Sequence, residues 1–296
     1  MNKFELKNEI TKRTIQTKFG VITINDIKFD SEEIQNILPD VVFEDDNLKF
    51  MFQKEKMEGR EKQLVLKRFL PNTHEIDLPQ FIEDSISRNK TFYSFLAEGM
   101  LGLVFRDVYD FDLSVGIIDI TETLNDTHSG SDVCMFDKEK NVLVIGEAKF
   151  YERFNQGMNT IISDFTQKSI LNKLDSFKRK VESNDYSWEI ILKNLKMENF
   201  ETIQLDKFMQ QKMIFAGFVL HSNKLAMDEY INKEFYDNFN VSVNNLKENI
   251  ISSIESDLHS SEYEIVLFHL PIKDKKTLIK EIIERAKKEL YINGVK

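Results

Sequence analysis

The chain has 296 residues, of which 41% are apolar and 30% are charged, and this balance excludes an intrinsically disordered protein. The net charge of −10 argues against autonomous, tight and non-specific binding of nucleic acid, which normally needs a broad basic surface. It leaves open a local basic channel, or DNA that is delivered by a partner protein.

Targeting and redox features point to the cytoplasm. The single cysteine, Cys134, excludes an internal disulfide and a cysteine-ligated zinc cluster. The longest apolar run, residues 213–220, is too short to cross a bilayer, and residues 1–13 lack the apolar core of a signal peptide. We therefore expect a cytoplasmic protein that does not bind a membrane.

The N-terminal part of the chain is predicted to be rich in β-strands. Short runs of β-branched and aromatic residues with polar spacing favour strands at residues 19–26, 41–55 and 62–70. Pro71 and Pro79 then interrupt regular structure and suggest a domain boundary near residue 80. We expect a β-rich accessory region over residues 1–80 and a second domain over residues 81–296.

Helices and strands alternate in the rest of the chain. Apolar residues recur at three- and four-residue spacing over 81–108 and again over 155–183, which predicts two amphipathic helices. Residues 212–221 and 263–271 are apolar runs of the length of buried strands. This alternation indicates an α/β core.

Residues 130–152, GSDVCMFDKEKNVLVIGEAKFYE, are the most informative stretch of the sequence. Two apolar runs are joined by a charged four-residue tip, which fits a β-hairpin loop. A loop of this length pairs Asp137 with Val142 and places Asp132 opposite Glu147, with Cβ atoms about 4.5–5.5 Å apart. A shift of one residue would separate the two acids onto opposite faces, so the prediction depends on the loop length.

Facing carboxylates in this hairpin need a cation. They repel each other, and burial raises the cost unless the charges are neutralised. Lys149, on the same face as Glu147, can offset one charge, and a divalent cation can offset both. Mg²⁺ prefers carboxylate, water and phosphate oxygens. The arrangement suits metal-assisted phosphodiester hydrolysis, in which the lysine orients or deprotonates the attacking water or stabilises developing negative charge.

The alternative is a surface hairpin with an ordinary ion pair. However, Glu147 follows the apolar run VLVIG, and Lys149 precedes Phe150 and Tyr151. These flanks favour an interior position for the acid and the lysine.

A third acid, Glu98, lies within the predicted helical segment SFLAEGMLGLVF. Gly99 and Gly102 are unfavourable inside a helix, but they allow another backbone to approach closely, as a helix acid that reaches a site on the sheet would require. The alternative role for Glu98 is an ion pair with Arg106 or Lys90.

Together these residues resemble the PD-(D/E)XK nuclease superfamily, which combines an acid on a helix, an acid ending one strand and an acid-x-lysine on the next strand. HSGSDVCMF and LVIGEAKFYE more specifically resemble the DUF1837 (HamA-like) family, which includes the nuclease subunit of the bacterial Hachiman anti-phage system. The resemblance covers residues from about 85 to about 290.

The resemblance implies a PD-(D/E)XK nuclease-like core, with a mixed central sheet flanked by helices, beside the β-rich N-terminal region. It implies a DNA nuclease that uses Mg²⁺, or Mn²⁺ in its place, with a HamB-like helicase subunit as partner. Asp132, Glu147 and Glu98 correspond to metal ligands, and Lys149 corresponds to the catalytic lysine. Ser131 replaces the proline of the superfamily name, a departure that many members share.

Two other functions stay open. An autonomous restriction-type endonuclease would cut DNA into discrete fragments. A catalytically silent sensor or assembly subunit would keep the nuclease fold without cleavage, although a binding module has no need for a repulsive buried cluster of acids. His221 and His269 each end a predicted strand, and we expect both to be structural.

Overall fold

The computed structural model describes residues 10–17, 20–27, 31–52, 54–70, 93–109, 133–137, 142–164, 212–222 and 263–292. In chain order the elements are β1 (Ile10–Thr17), β2 (Gly20–Ile27), α1 (Ser31–Val42), α2 (Asp45–Phe52), α3 (Gly59–Lys67), α4 (Ser94–Tyr109), β3 (Val133–Asp137), β4 (Val142–Tyr151), α5 (Phe154–Asp164), β5 (Lys212–His221), β6 (Tyr263–Pro271) and α6 (Lys275–Ile292). Within these residues, no helix is both long enough and apolar enough to cross a membrane.

The strands form one mixed sheet in the order β1-β2-β6-β5-β4-β3. The four inner strands run parallel, and β1 and β3 are antiparallel to their neighbours at the two edges. Parallel strands covered on both faces are apolar almost throughout, as β5 is: residues 214–220 are all buried. The prediction of an α/β fold is confirmed.

The sheet has two faces that differ in their covering helices. Ala148, Phe218 and Phe268 are register partners on neighbouring strands and define the even face. This face packs into the main apolar core, to which helices α1, α2, α3, α4 and α6 contribute buried residues. The ring of Phe105 from α4 meets that of Phe268 edge-on, with centroids 5.6 Å apart. Glu147, Lys149 and their odd-numbered partners define the opposite, odd face.

Helix α5 covers the odd face through a very close approach to the sheet. Gly157 lies over Val219, and a Cβ atom added at this glycine would be 2.5 Å from Val219 Cγ1 and 3.4 Å from Tyr151 Cδ2. Real Cβ atoms essentially never come within 3.0 Å of another atom, so the contact with Val219 excludes a side chain at this position unless the structure shifts. The absence of a side chain at Gly157 therefore determines how closely α5 packs on β4 and β5.

Two of the three predicted N-terminal strands are wrong. The strand at 19–26 is found as β2, but 41–55 contains helix α2, and 62–70 overlaps helix α3. In α2 the buried apolar residues Leu48, Met51 and Phe52 recur at helical spacing, and two acids lie in the first turn, where the helix dipole favours negative charge. Burial of such a stripe outweighs the strand propensity of the individual residues. The described N-terminal region is therefore not β-rich, since three helices follow its two strands.

The elements after residue 80 agree better with the predictions made from the sequence. The predicted strands 212–221 and 263–271 are found as β5 and β6. Helices are found at Ser94–Tyr109 and Phe154–Asp164, and the rest of the two predicted helical segments, 81–92 and 165–183, lies outside the described residues. The division at residue 80 stays a prediction, although β1 and β2 share one sheet with β3 to β6.

Asp274 caps the first turn of α6. Its Oδ2 accepts a hydrogen bond from the Thr277 amide at 2.6 Å, and its own amide donates to the buried Gln35 at 2.7 Å. We expect Asp274→Ala to lower the free energy of unfolding by about 1 kcal/mol, as measured by urea denaturation. Asp274→Asn can accept the same bond and should recover most of this loss. Equal losses in the two variants would contradict the capping role.

Candidate functional site

The β3–β4 hairpin has the predicted register. Asp137 pairs with Val142, and the pairing continues without interruption to Val133 and Gly146. The tip of the hairpin and Asp132 lie outside the described residues. The position of Asp132 opposite Glu147 therefore stays a prediction, which the observed register supports.

Glu147 lies in the interior, as its apolar flanks predict. The residue is 3% exposed, and its register partner on β5 is Gly217. A carboxylate at such a position is costly in free energy unless it is hydrogen-bonded or neutralised by a cation. The surface-hairpin alternative is therefore wrong for Glu147.

Lys149 provides a cation for this carboxylate. Its Nζ lies 3.1 Å from Glu147 Oε2, and both side chains leave β4 on the odd face. The lysine side chain is 20% exposed and that of the glutamate 4%, so the lysine is the partner nearer to solvent. A charge-assisted bond of this kind holds the two groups in a defined relative geometry.

Glu98 lies half-buried in α4, the helix that packs on the even face. By strand alternation, Glu147 and Lys149 leave the sheet on the other face. Glu98 has contacts of its own in the structure, and Arg106, one partner considered for it, bonds to Asp107 and Asn47. The structure thus brings together Glu147 and Lys149, and the role of Glu98 as a third ligand stays a prediction.

The donor chemistry of Glu147 fits a hard divalent cation. A buried carboxylate supplies the oxygen ligand that Mg²⁺ prefers, and it sits beside a lysine suited to act on a phosphate or a water. In the part of the chain that the structure describes, no group of three or more His, Cys, Asp or Glu side chains is arranged to hold a metal ion. Asp132 lies outside the described residues, and the roles of Asp132 and Glu98 as further ligands stay predictions.

A buried histidine pair lies on the same face of the sheet. Nε2 of His221 and Nδ1 of His269 are 3.1 Å apart, and each residue is 2% exposed. The Phe154 ring of α5 packs on both imidazoles, at centroid distances of 5.1 and 5.2 Å. Register places Lys149 and His269 at the same level, with Val219 between them. Both histidines lie in strands that the sequence predicts, but their pairing was not predicted.

His221 is uncharged at neutral pH. Burial and the charge of the neighbouring His269 keep the pKa of His221 well below its ordinary value. His221 Nε2 and His269 Nδ1 share one hydrogen bond, whose direction depends on the tautomers of the two rings. The pair thus contributes a directed polar contact between β5 and β6.

Acidification should destabilise the protein through His221. In the unfolded chain this histidine takes up a proton near pH 6.5, whereas in the folded chain it resists protonation to lower pH. Between these two pKa values the unfolded state binds more protons, so stability falls as the pH falls below about 6.5. When the pH is lowered from about 7.5 to about 5, we expect the melting temperature of His221→Gln to fall less than that of the unmodified chain. An equal decrease in both proteins would contradict this assignment.

Comparison with known proteins identifies a family. No curated protein and no solved structure matches the chain. The family model HamA matches residues 3–286, and it thus also covers the N-terminal region that the resemblance in the motifs did not include. The chain therefore belongs to the HamA family, whose members are components of the Hachiman anti-phage defence system.

Proposed function

We propose that this chain is a Mg²⁺-dependent deoxyribonuclease of the PD-(D/E)XK type and the effector of a nuclease–helicase complex in Hachiman defence. The observation that supports it most directly is the buried Glu147 carboxylate with Lys149 Nζ at 3.1 Å, on a parallel strand next to a hairpin of the expected register. Membership of the HamA family supports the defence role. Mn²⁺ has the same preference for oxygen ligands and should replace Mg²⁺.

In the proposed reaction each residue has a defined task. Glu147 and Asp132 would hold the metal ion, which when bound supplies positive charge to the scissile phosphate and lowers the pKa of a water. Glu98 is included as a third ligand only on the resemblance, since its helix packs on the other face of the sheet. Lys149 would orient the attacking water or stabilise the negative charge that develops on the phosphate. The burial of Glu147 strengthens these electrostatic interactions, because few water molecules screen them.

The contact between Lys149 and Glu147 also explains how the acid is tolerated in the core. The ammonium offsets the charge of the carboxylate and donates a hydrogen bond to it. Residues chosen for stability alone would be apolar at this position, since replacement of a buried ion pair by apolar side chains is often neutral or stabilising. Retention of both charges is therefore better explained by chemistry than by folding.

The proposal is tested by incubation of supercoiled and linear DNA with the purified chain and Mg²⁺, with and without its helicase-like partner. General degradation that requires Mg²⁺ or Mn²⁺ and disappears in Lys149→Ala would support the proposal. Discrete fragments from the isolated chain would favour a restriction-type endonuclease. If no condition gives cleavage and the variant behaves like the unmodified chain, a catalytically silent subunit becomes the better interpretation.

A further inference from the structure

We infer that Lys275 is a positioning residue, which holds the carboxyl-terminal end of β4 and thereby the relative placement of Glu147 and Lys149. Its effect on cleavage rests on the proposed function. Its effect on the order of strand β4 does not depend on that function. Cleavage and strand order are therefore measured by separate experiments.

Lys275 occupies a place where a lysine is unfavourable. It is the first residue of α6 and is only 4% exposed. Lysine is rarely buried without a partner, and the N-terminal end of a helix carries a partial positive charge that repels a cation. Burial lowers the pKa of Lys275 to about 8, although the nearby Glu152 raises it. An apolar side chain would avoid these costs, so a contact specific to the amine is expected here.

That contact is with the backbone of β4. Nζ of Lys275 donates a hydrogen bond to the Phe150 carbonyl at 2.8 Å and lies 4.4 Å from the centroid of the Phe150 ring. Phe150 directly follows Lys149 in the strand. Lys275 therefore holds β4 one residue beyond the candidate catalytic lysine. The Phe150 ring belongs to the even face, so the amine also lies on the even side of β4. The Glu147–Lys149 pair lies on the opposite, odd face.

Neighbouring contacts connect the carboxyl-terminal ends of β4, β5 and β6. The Ser222 hydroxyl, just after β5, donates to the Glu152 carbonyl at 3.1 Å and also to the Glu152 carboxylate. The Ile272 amide donates to the His221 carbonyl at 2.7 Å. Glu152, in turn, attracts the ammonium of Lys275. The carboxyl-terminal ends of three strands and the start of α6 are thus connected by a few polar contacts around Lys275.

The contact of Lys275 adds to the pairing of β4 within the sheet. Residues 142–151 pair along their whole length with β5, and Lys275 supplies a further fixed contact at Phe150, one residue after Lys149. A shift of about 1 Å in a reacting group can reduce a rate about a hundredfold, so this contact can matter for catalysis without touching the substrate.

Lys275→Met tests the inference, because methionine keeps an unbranched apolar stem and removes the donor. Lys280→Met is the matched control, as Lys280 is exposed on the same helix. With Mg²⁺, DNA and the helicase-like partner, we expect kcat of Lys275→Met to fall about tenfold or more, with little change in KM for DNA. The control should keep the kcat of the unmodified chain.

Amide hydrogen exchange of the metal-free full chain provides a readout that does not depend on nuclease activity. In Lys275→Met, the amides of Lys149, Phe150 and Tyr151 should exchange faster, while those of β6 keep their protection. Unchanged exchange and unchanged kcat would overturn the inference. Faster exchange throughout the sheet would also overturn it, since this indicates a general structural role. If the unmodified chain cleaves no DNA, the nuclease proposal fails by itself, and the local exchange at β4 decides the role of Lys275.

Discussion

Lys149→Ala should reduce the rate of DNA cleavage by about a hundredfold or more, the usual contribution of a positioned proton-transfer or charge-stabilising group. The reason is the position of its ammonium, 3.1 Å from the buried Glu147 carboxylate and nearer to solvent than that acid. Single-turnover cleavage of linear DNA with Mg²⁺ measures the effect on the chemical step. Lys287→Ala, at an exposed position of α6, is a control for the loss of one positive charge.

Stability measurements separate this effect from unfolding. Lys149→Ala leaves Glu147 buried with one partner fewer, which should cost about 1–3 kcal/mol. Glu147→Gln should cost less, because the remaining lysine side chain is partly exposed and can be hydrated, yet it should also stop cleavage. Urea denaturation of both variants determines whether they are folded in the assay. Full cleavage by either folded variant would exclude the proposed site.

Gly157→Ala should lower the free energy of unfolding by about 1–3 kcal/mol, the range typical of overpacking in a core. The new Cβ would lie 2.5 Å from Val219 Cγ1, so that α5 or β5 must move. Since α5 covers the face that carries Glu147 and Lys149, we also expect slower cleavage. Thermal and urea unfolding measure the stability effect.

A second substitution at the contact tests the cause. Val219→Ala removes the atom that the new Cβ would meet, so the double variant should be more stable than the sum of the two single effects predicts. Gly59→Ala provides a contrast, because no atom lies within 4 Å of an added Cβ there and only its positive φ of +54° opposes a side chain. Strict additivity of Gly157→Ala and Val219→Ala would exclude the steric explanation.

Local patterns in the sequence predicted the parts of the structure that local interactions decide. The apolar runs at 212–221 and 263–271 have the length and composition of buried parallel strands, and β5 and β6 have these bounds. The four-residue tip of the hairpin predicted the pairing of Asp137 with Val142, because loop length and register are coupled. The same register and the apolar flanks predicted that Glu147 is buried, and this is confirmed.

Where packing competes with local propensity, the sequence alone was misleading. The runs at 41–55 and 62–70 are rich in β-branched and aromatic residues, yet they form helices whose apolar stripes are buried in the core. Strand propensity differs among residues by only about 1 kcal/mol, whereas burial of one large apolar side chain contributes about 1.5–3 kcal/mol. The core therefore decides the secondary structure of such segments.

The amino-acid sequence was sufficient for the α/β class, for the hairpin and for the proximity of Glu147 and Lys149, since two residues on one strand face are close in any fold. Only the tertiary structure brings His221 to His269 and Lys275 to the Phe150 carbonyl, across 48 and 125 positions of the chain. These contacts depend on the order of the strands and on the packing of α6. Both are decided by burial summed over the whole chain, which no local pattern contains.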